Sequence, residues 1–356
     1  MQKKVNTAVI GLGSMGRIHA EMYTLIPEAN LRAVCDSRGN IAKEVASKYG
    51  VDYYTDYEDL LEREDIDSVD VVLPHYLHAQ VAIDSARAGK HVAVEKPLCT
   101  TLEDANDMLK AVKKAGVSDM YCENLCFAPD YAMAKDIVSS GGIGDVYMMR
   151  CREATYFPIE ELPDFQPPWF LDTEKSGGGA LIDMGIHSIT YMRYILDRER
   201  VLRVYAEMNV DRFTPYSSKK YENVALVTVR FEHGKLGCID VTQCTPGPGG
   251  FSDRVEIYGD GSIFIDYHGS LKVHSREGYG YSRLWCEVDT KGWSYPVSDQ
   301  ERVHGYWHGL RHFMQCILDN KRPMINFSDG QAALEIALAA YKSAATRRPV
   351  SLRLNH

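Results

Sequence analysis

The 356-residue chain lacks a long apolar run and an excess of positive charge. No stretch approaches the roughly 18–20 apolar residues that cross a bilayer, and the first predicted strand begins at residue 5 without a leader segment. The sequence therefore predicts no membrane span and a cytoplasmic protein. The formal net charge is −9, which disfavours nucleic acid and anionic lipid as partners.

Paired cysteines are also scarce. The nine cysteines are an odd number and are scattered along the chain, which favours free thiols in a reducing compartment. Cys122 and Cys126 are close in sequence, but no second pair completes a zinc site, so we interpret them as structural or pocket-lining. His304, His308 and His312 recur every four residues on a predicted helix. Because no carboxylate stands at matching offsets, we predict that they pack against a neighbour and bind no metal.

The chain does have a glycine motif at the end of its first predicted strand. Residues 11–16 read G-L-G-S-M-G, which fits G-x-G-x-x-G, with a helix predicted after it. The first glycine permits the turn, the second lets the backbone approach a pyrophosphate, and the third lets the helix pack close to the strand. The alternative is a glycine-rich turn that binds no nucleotide. The predicted dinucleotide contacts here are Gly11, Leu12, Gly13, Ser14, Met15 and Gly16.

An acidic residue follows the second predicted strand, 31–35, at the distance that this motif requires. Asp36 can accept hydrogen bonds from the hydroxyls of an adenosine ribose, and it would repel a 2′-phosphate, which favours NAD. Arg38 leaves NADP open, because a guanidinium can accommodate that phosphate. We predict that Asp36, Ser37 and Arg38 contact the cofactor.

Predicted strands and helices alternate over the first third of the chain. Apolar strands are predicted at 5–10, 31–35, 69–73, 91–94 and 119–122. This alternation predicts an α/β domain with a doubly wound parallel sheet, a Rossmann domain, over residues 1–124. Residues 125–356 are rich in strands joined by hairpin turns, which predicts an α+β domain with a large, mostly antiparallel open sheet. We expect the C-terminal helices, about 302–319 and 329–346, to pack back on the first domain.

A lysine stands where the predicted strand 91–94 ends. Ligands bind beyond the carboxyl ends of parallel strands, so residues that follow a strand are candidate contacts. Pro97 favours an extended Lys96 and can fix a cis bond between them. An ammonium at this edge can stabilise the alkoxide that develops on a substrate. The alternative is a solvated surface lysine.

Three glycines, Gly177 to Gly179, precede a predicted helix that continues to about residue 196. Asp183 and His187 are four residues apart and therefore share one face of it. A carboxylate beside an imidazole can fix the tautomer of the ring and keep it ready to act as a general base. The alternative is a buried Asp–His pair without chemistry.

Three motifs occur in order: the G-x-G-x-x-G strand, the A-G-K-H-V-x-x-E-K-P-L block and the G-G-G-x-L-x-D-x-G-x-H helix. With these motifs the chain resembles the glucose–fructose oxidoreductase/inositol dehydrogenase/MocA (Gfo/Idh/MocA) family of NAD(P)-dependent oxidoreductases over essentially its whole length. The resemblance implies that Lys96, Asp183 and His187 are the catalytic lysine, aspartate and histidine. Further cofactor contacts are expected from Pro74, His75, His78, Glu95, Lys96 and Asn124.

The chain departs from the family pattern at three places. It has His75 where Asn is common, Cys126 where Arg is usual, and Thr190 where Asp often follows the helix histidine. These departures leave the substrate open. Tyr156 and Trp169 lie upstream of the glycine run, where aromatic faces can contact a sugar ring; ordinary core or interface aromatics are the alternative.

The resemblance implies reversible oxidation of a secondary hydroxyl on a sugar, inositol or glycoside, including the C3 hydroxyl of a glucosyl unit. His187 would take the hydroxyl proton, Asp183 would orient the imidazole and Lys96 would stabilise the alkoxide. The expected substrate contacts are Lys96, Tyr156, Trp169, Asp183 and His187. Two other classes stay open: a redox glycosidase that recycles its NAD, and a non-enzymatic dinucleotide-sensing regulator. The resemblance also implies a homo-oligomer formed through the open face of the C-terminal sheet.

Overall fold

The computed structural model describes residues 3–155, 168–209, 221–243, 254–266, 273–276, 291–294 and 299–352. The chain divides into two compact units. The N-terminal unit comprises Met1–Phe127 and His304–Gln331, and the C-terminal unit comprises Ala128–Val303 and Ala332–His356. Within the described residues, no helix has both the length and the apolar composition to cross a bilayer.

A six-stranded parallel sheet forms the centre of the N-terminal unit, in the order β3-β2-β1-β4-β5-β6. Its strands are Val5–Ile10 (β1), Ala29–Cys35 (β2), Asp52–Tyr54 (β3), Ser68–Val71 (β4), His91–Glu95 (β5) and Asp119–Cys122 (β6). Almost every residue of β1, β4 and β5 is buried, as is usual for a parallel sheet covered by helices. The predicted doubly wound sheet is confirmed.

Helices alternate with these strands. They are Ser14–Leu25 (α1), Gly39–Tyr49 (α2), Tyr57–Leu61 (α3), His75–Arg87 (α4) and Leu102–Ala115 (α5), followed by a 3₁₀ turn at Asn124–Phe127. The strand order runs outward from β1 on one side and from β4 on the other. In doubly wound sheets the crevice at such a reversal binds the ligand, and here it lies next to the glycine loop that follows β1.

The C-terminal unit contains a seven-stranded, mostly antiparallel sheet in the order β12-β11-β7-β10-β9-β8-β15. Its strands are Met148–Ala154 (β7), Val201–Asn209 (β8), Val224–Phe231 (β9), Leu236–Thr242 (β10), Arg254–Tyr258 (β11), Ser262–Asp266 (β12) and Val350–Ser351 (β15). A separate pair is formed by Val273–Ser275 (β13) and Gly292–Ser294 (β14). The predicted hairpins join β9 to β10 and β11 to β12, while β7 and β10 run parallel.

One face of this sheet is buried and the other is exposed. Along β9 the residues alternate strictly, with Val227 and Val229 buried and Leu226 and Arg230 exposed, as expected for a sheet with one solvated face. The helices of this unit are Pro129–Ser139 (α6), Thr173–Ser176 (α7), Ile186–Ile195 (α8), Gln300–Val303 (α9) and most of Phe327–Thr346 (α11), with a 3₁₀ turn at Pro168–Leu171. Helix α8 packs on β7 and β10.

Three of the differences between the structure and the sequence predictions have a plain physical reason or bear on the site. β3 was not predicted, because its three side chains are exposed or half-buried at the sheet edge and show no apolar pattern. The single helix predicted over about 302–319 is broken into α9 and Tyr306–Asp319 (α10), since Gly305 has φ +86°. The helix that carries Asp183 begins as a π-helical turn, Leu181–Gly185, before α8.

Candidate active site

The glycine loop has room for a ligand only on one side. A Cβ at Gly11, where φ is +99°, would lie 2.0 Å from the carbonyl oxygen of Val72, and a Cβ at Gly16 would lie 1.9 Å from the carbonyl oxygen of Gly11. Both positions therefore require glycine for close backbone packing. A Cβ at Gly13 would meet no atom within 4 Å, so that glycine faces open space.

The start of α1 fits an anionic group. Its first turn has no side-chain cap and no acidic residue, so backbone N–H groups at a positive helix end are available next to Gly13. Open space at Gly13 together with an uncapped helix N-terminus is the arrangement that holds the pyrophosphate of a dinucleotide. The residues present thus fit NAD, with the motif residues lining one side of the phosphate.

Asp36 holds the backbone of this loop at Leu12. Its carboxylate is buried and accepts hydrogen bonds from the backbone N–H of Leu12 at 2.9 Å and of Arg38 at 2.9 Å. The guanidinium of Arg38 donates two further bonds of 2.9 Å to the same carboxylate. Burial opposes the charge, but the Arg38 and backbone donors outweigh it and lower the pKa of Asp36 below its usual value. Asp36 is therefore a fixed anion beside the predicted ribose position, and Arg38 is bound to it; Ser37 is exposed between them.

Lys96 is half-buried directly after β5, and its bond to Pro97 is cis. The neighbouring Glu95 is buried, and its Oε2 accepts the backbone N–H of Lys96 at 2.9 Å. Through its other oxygen Glu95 lies 3.1 Å from His19 Nε2. The structure thus gives Glu95 partners within the protein; its predicted contact with the cofactor stays a prediction.

Other residues that were predicted to contact the cofactor form buried hydrogen bonds to the loops of this unit instead. His78 is fully buried, with Nδ1 2.9 Å from the carbonyl oxygen of Pro97 and Nε2 2.7 Å from that of Leu73. Asn124 is buried and donates its side-chain amide to the carbonyl oxygen of His304 at 2.7 Å. These bonds disfavour direct cofactor contacts from His78 and Asn124, which stay predictions. Pro74 and His75 begin α4 beside them, His75 being buried with its ring 5.8 Å from that of His78.

In the C-terminal unit, the absence of side chains in the glycine run makes room for Tyr341 and Glu222. A Cβ at Gly178 would lie 2.0 Å from the hydroxyl of Tyr341, and one at Gly179 would lie 2.1 Å from the carbonyl oxygen of Glu222. The buried Glu222 carboxylate accepts the N–H of Gly179 and of Leu181, each at 2.9 Å, and the Tyr341 hydroxyl at 2.7 Å. Glu222 thus anchors the start of the π-helical turn.

Asp183 lies in this π-helical turn and is buried. Its Oδ2 accepts a hydrogen bond from Nε2 of Gln243 at 2.7 Å, and Oε1 of Gln243 accepts one from the Tyr221 hydroxyl at 2.6 Å. His187, also buried, lies four residues later in the first turn of α8. π-Helical turns are rare and occur frequently at functional sites. Two neutral donors in series, the Gln243 amide and the Tyr221 hydroxyl, therefore hold one oxygen of Asp183 in place.

The predicted aromatic contacts are only partly described. Trp169 is half-buried in the 3₁₀ turn, with its ring 5.6 Å from that of Phe170. Tyr156 lies outside the described residues. Their roles in substrate binding stay predictions.

The histidine trio does not lie on one helix, and the prediction that it does was wrong. Gly305, in the left-handed conformation, separates the buried His304 from α10. In α10, Nε2 of His312 accepts the N–H of Met324 at 2.9 Å and lies 3.3 Å from Sγ of Cys316. His312 therefore packs against the following loop. Over the described ranges, no group of three or more potential ligands is positioned to hold a metal.

Sequence analysis missed three side chains around the predicted site residues. Gln243 and Glu222 are far from the π-helical turn in sequence, and His19 stands within a helix with no motif that marks its partners. Gln243 directly follows β10 and Glu222 lies two residues before β9, so a polar residue near the end of a strand was the one available signal.

Comparisons with known proteins agree with this geometry. The family described as "Oxidoreductase family, NAD-binding Rossmann fold" matches residues 5–121, and the family described as "GFO/IDH/MocA C-terminal domain" matches residues 131–264.

Among full-length relatives, the myo-inositol 2-dehydrogenase of Thermotoga maritima is 32% identical over 97% of this chain and 97% of its own. The scyllo-inositol 2-dehydrogenase (NAD(+)) of Bacillus subtilis is 31% identical over 99% of this chain and 97% of its own. The crystal structure of GenD2 from gentamicin A biosynthesis in complex with NAD superposes with a TM-score of 0.90 at 27% identity, covering 99% of this chain and 98% of that one. With its open glycine loop and its two matched domains, this chain belongs to the Gfo/Idh/MocA family of NAD-dependent oxidoreductases.

Proposed function

We propose that the chain oxidises a secondary ring hydroxyl of an inositol, sugar or glycoside to a ketone, with NAD as the oxidant. The observation that carries this proposal is the buried Asp183, held by Gln243 one turn from His187. Full-length relatives that are inositol dehydrogenases support the substrate class.

Three side chains have roles in this reaction. NAD, when bound, supplies the hydride acceptor for the carbon that is oxidised. The imidazole of His187 takes the proton of the hydroxyl, and Asp183 orients the ring and balances its new charge. The ammonium of Lys96 stabilises the negative charge that develops on the oxygen. The proton of the hydroxyl thus passes to His187, and the hydrogen on the carbon leaves with its bonding electron pair, as a hydride.

We also propose that the chain prefers NAD to NADP. Asp36 is ionised and buried, and Arg38, the residue that would accept a 2′-phosphate, is already paired with it. A 2′-phosphate would have to displace the Asp36 carboxylate from Arg38, and the negative charges of the phosphate and the carboxylate would repel each other. Titrations with NADH and NADPH test this preference, and tighter binding of NADPH would contradict it.

Self-association through the outer face of the C-terminal sheet is a further part of the proposal. Leu226 on β9, Leu236 on β10 and Phe264 on β12 are each about half exposed on adjoining strands or at the sheet edge. We take these exposed apolar side chains as the support for association through this face. Sedimentation of a single 40.1 kDa species would contradict it.

A substrate screen tests the function directly. The protein is mixed with NAD and with myo-inositol, scyllo-inositol, free glucose or a phenyl glucoside, and NADH is followed by its near-ultraviolet absorbance. A dehydrogenase accumulates NADH, and analysis of the ketone gives the oxidised position, including C3 of a glucosyl unit. Release of phenol without net NADH would instead indicate a redox glycosidase. NAD binding without turnover of any compound would indicate a sensor.

A further inference from the structure

A buried trio of charged side chains in the N-terminal unit has no place in the proposed reaction. His19 of α1 has Nδ1 2.8 Å from Oδ2 of Asp70 and Nε2 3.1 Å from Oε1 of Glu95. Their side chains are 1%, 0% and 8% exposed, respectively. A neutral imidazole carries one N–H and can donate to only one of two carboxylates. Nδ1 forms the hydrogen bond to Asp70, whereas Nε2 lies within ion-pair distance of Glu95 without the alignment of a hydrogen bond. Two buried carboxylates this close to the ring favour an imidazolium.

The surroundings of the trio favour this charge state. Burial opposes the charge on His19, but Asp70 and then Glu95 outweigh it and raise the pKa of His19 to about 10. The ring of Tyr306 from α10 lies 6.0 Å from the ring of His19. Further titratable groups act on the two carboxylates or respond to them: Tyr23, His78, Lys96 and Cys122.

The neighbouring phenol and thiol stay neutral at ordinary pH. Burial first, and the charge of Asp70 second, raise the pKa of Tyr23 and of Cys122 well above their usual values. His19 is thus the buried cation that Asp70 and Glu95 share, and the charge of Lys96 is a second, weaker influence on Glu95.

Glu95 connects the trio to the proposed reaction. Its Oε1 is the atom nearest His19, while its Oε2 accepts the backbone N–H of Lys96 at 2.9 Å. Burial would raise the pKa of Glu95, but His19 in the first place holds it below the usual value. The backbone of Lys96 is therefore held by a carboxylate whose charge depends on His19.

We propose that His19 is a positioning residue: fixed between Asp70 and Glu95, its imidazolium keeps Glu95 ionised and oriented so that Glu95 holds the backbone of Lys96 in place. The positioning role rests on the proposed function of Lys96, whereas the charge state of His19 does not. Without the cation, two buried carboxylates would face each other across the site, and one of them would take up a proton as the pH falls through the working range.

The charge state is measured on the full-length wild-type protein with NAD added. Ring ¹⁵N NMR spectra, with the His19 signals assigned by their loss in His19→Gln, report the protonation of both nitrogens. We expect both to remain protonated from pH 6 up to about pH 10, as the pKa of His19 requires. Titration near the ordinary histidine value, or one unprotonated nitrogen at neutral pH, would overturn the proposal.

The positioning role is measured by kinetics with myo-inositol, or with the most active compound of the screen. In His19→Gln we expect kcat to fall about 10- to 100-fold with KM and NAD affinity nearly unchanged. The kcat of this variant should also gain an acid limb, because Glu95 now takes up a proton within the assay range. The matched variant is His19→Gln with Asp70→Asn, which removes the second carboxylate as well. Its acid limb should move to lower pH, because the second carboxylate no longer opposes the ionisation of Glu95, and part of kcat should be recovered.

A purely structural role gives a different pattern. His19→Gln would then have a lower melting temperature but a kcat pH profile with the wild-type shape, and that result overturns the positioning role. If His19→Gln does not fold, the double variant, which also lacks the His19 ring, supplies both the assignment of the wild-type NMR signals and the kinetic readout. Failure of the proposed function can be told apart from failure of the charge assignment. Full turnover in Lys96→Ala would show that Lys96 has no role in the reaction, and the positioning role would fall with it, whatever charge His19 carries.

Discussion

Two almost fully buried glutamates, one in each unit, hold backbone near proposed reaction residues and differ in their partners. Glu95 in the N-terminal unit lies beside a buried cation, His19. Glu222 in the C-terminal unit accepts hydrogen bonds from the backbone and from Tyr341, all of them neutral donors. The pKa of Glu95 is lowered below its usual value, whereas burial raises the pKa of Glu222 to about 7 despite those donors.

The contrast shows that a charged partner decides whether a buried carboxylate stays ionised. Neutral donors offset the loss of water only in part, and desolvation then dominates. The support of Lys96 is therefore constant over the working pH range, whereas the support of the π-helical turn that carries Asp183 titrates near neutrality.

Within this comparison of the two glutamates, the largest expected effect concerns the amine that Glu95 supports. Lys96→Met removes the charge at similar length, and we expect kcat to fall about 10²- to 10³-fold because the alkoxide loses its counter-charge. NAD affinity should stay within about twofold. The matched control is Lys90→Met, because the Lys90 ammonium donates to the carbonyl oxygens of Arg63 and Ile66 in the same unit. That change should lower stability and leave kcat near the wild-type value; equal losses of kcat in both variants would contradict the account.

The next largest effect concerns the pH dependence of stability in the C-terminal unit. Because the pKa of Glu222 is raised to about 7 in the folded state, the folded state binds its proton more tightly than the unfolded state does. Its contribution to the free energy of unfolding is complete below about pH 4.5 and declines by about 3 kcal/mol as the pH rises through 7.

Urea unfolding at pH 5 and pH 8 measures this decline. Glu222→Gln should lose it, since the amide does not titrate. Glu232→Gln, which removes an exposed glutamate paired with Arg200, should retain the wild-type dependence. A wild-type pH dependence in Glu222→Gln would show that Glu222 is ionised like Glu95, and the contrast between the units would disappear.

The smallest effects concern the neutral donors that hold Asp183. Gln243→Leu leaves the buried Oδ2 without its 2.7 Å donor, and we expect kcat to fall about tenfold as Asp183 loses its orientation. Tyr221→Phe removes only the hydroxyl that steadies the Gln243 amide, and the expected loss is about two- to threefold. Steady-state kinetics with both variants checks the order. A larger loss in Tyr221→Phe than in Gln243→Leu would contradict the proposed chain of bonds.

Much of the N-terminal unit is predictable because its signals are local. β1, the glycine loop and α1 follow from one contiguous pattern, and Gly11 and Gly16 meet the close contacts that the motif predicts. Asp36 is where the spacing predicts it, next to Leu12.

The parts that could not be predicted depend on contacts between distant residues. Gln243 reaches Asp183 across 60 residues, and no local pattern marks it. The π-helical turn depends on Glu222 and Tyr341, which fill the space beside Gly178 and Gly179. A helical periodicity in the sequence carries no information about these contacts.

Single-turnover kinetics of His187→Ala is the sharpest test of whether His187 is the base of the proposed reaction. Wild type and variant are preloaded with NAD and mixed with saturating myo-inositol, or the most active compound of the screen, and NADH absorbance is followed in a stopped-flow instrument. We expect rapid NADH formation in the wild type and a rate lower by several orders of magnitude in His187→Ala, with NAD binding nearly unchanged. An equal rate in the two proteins would contradict the assignment of His187 as the base.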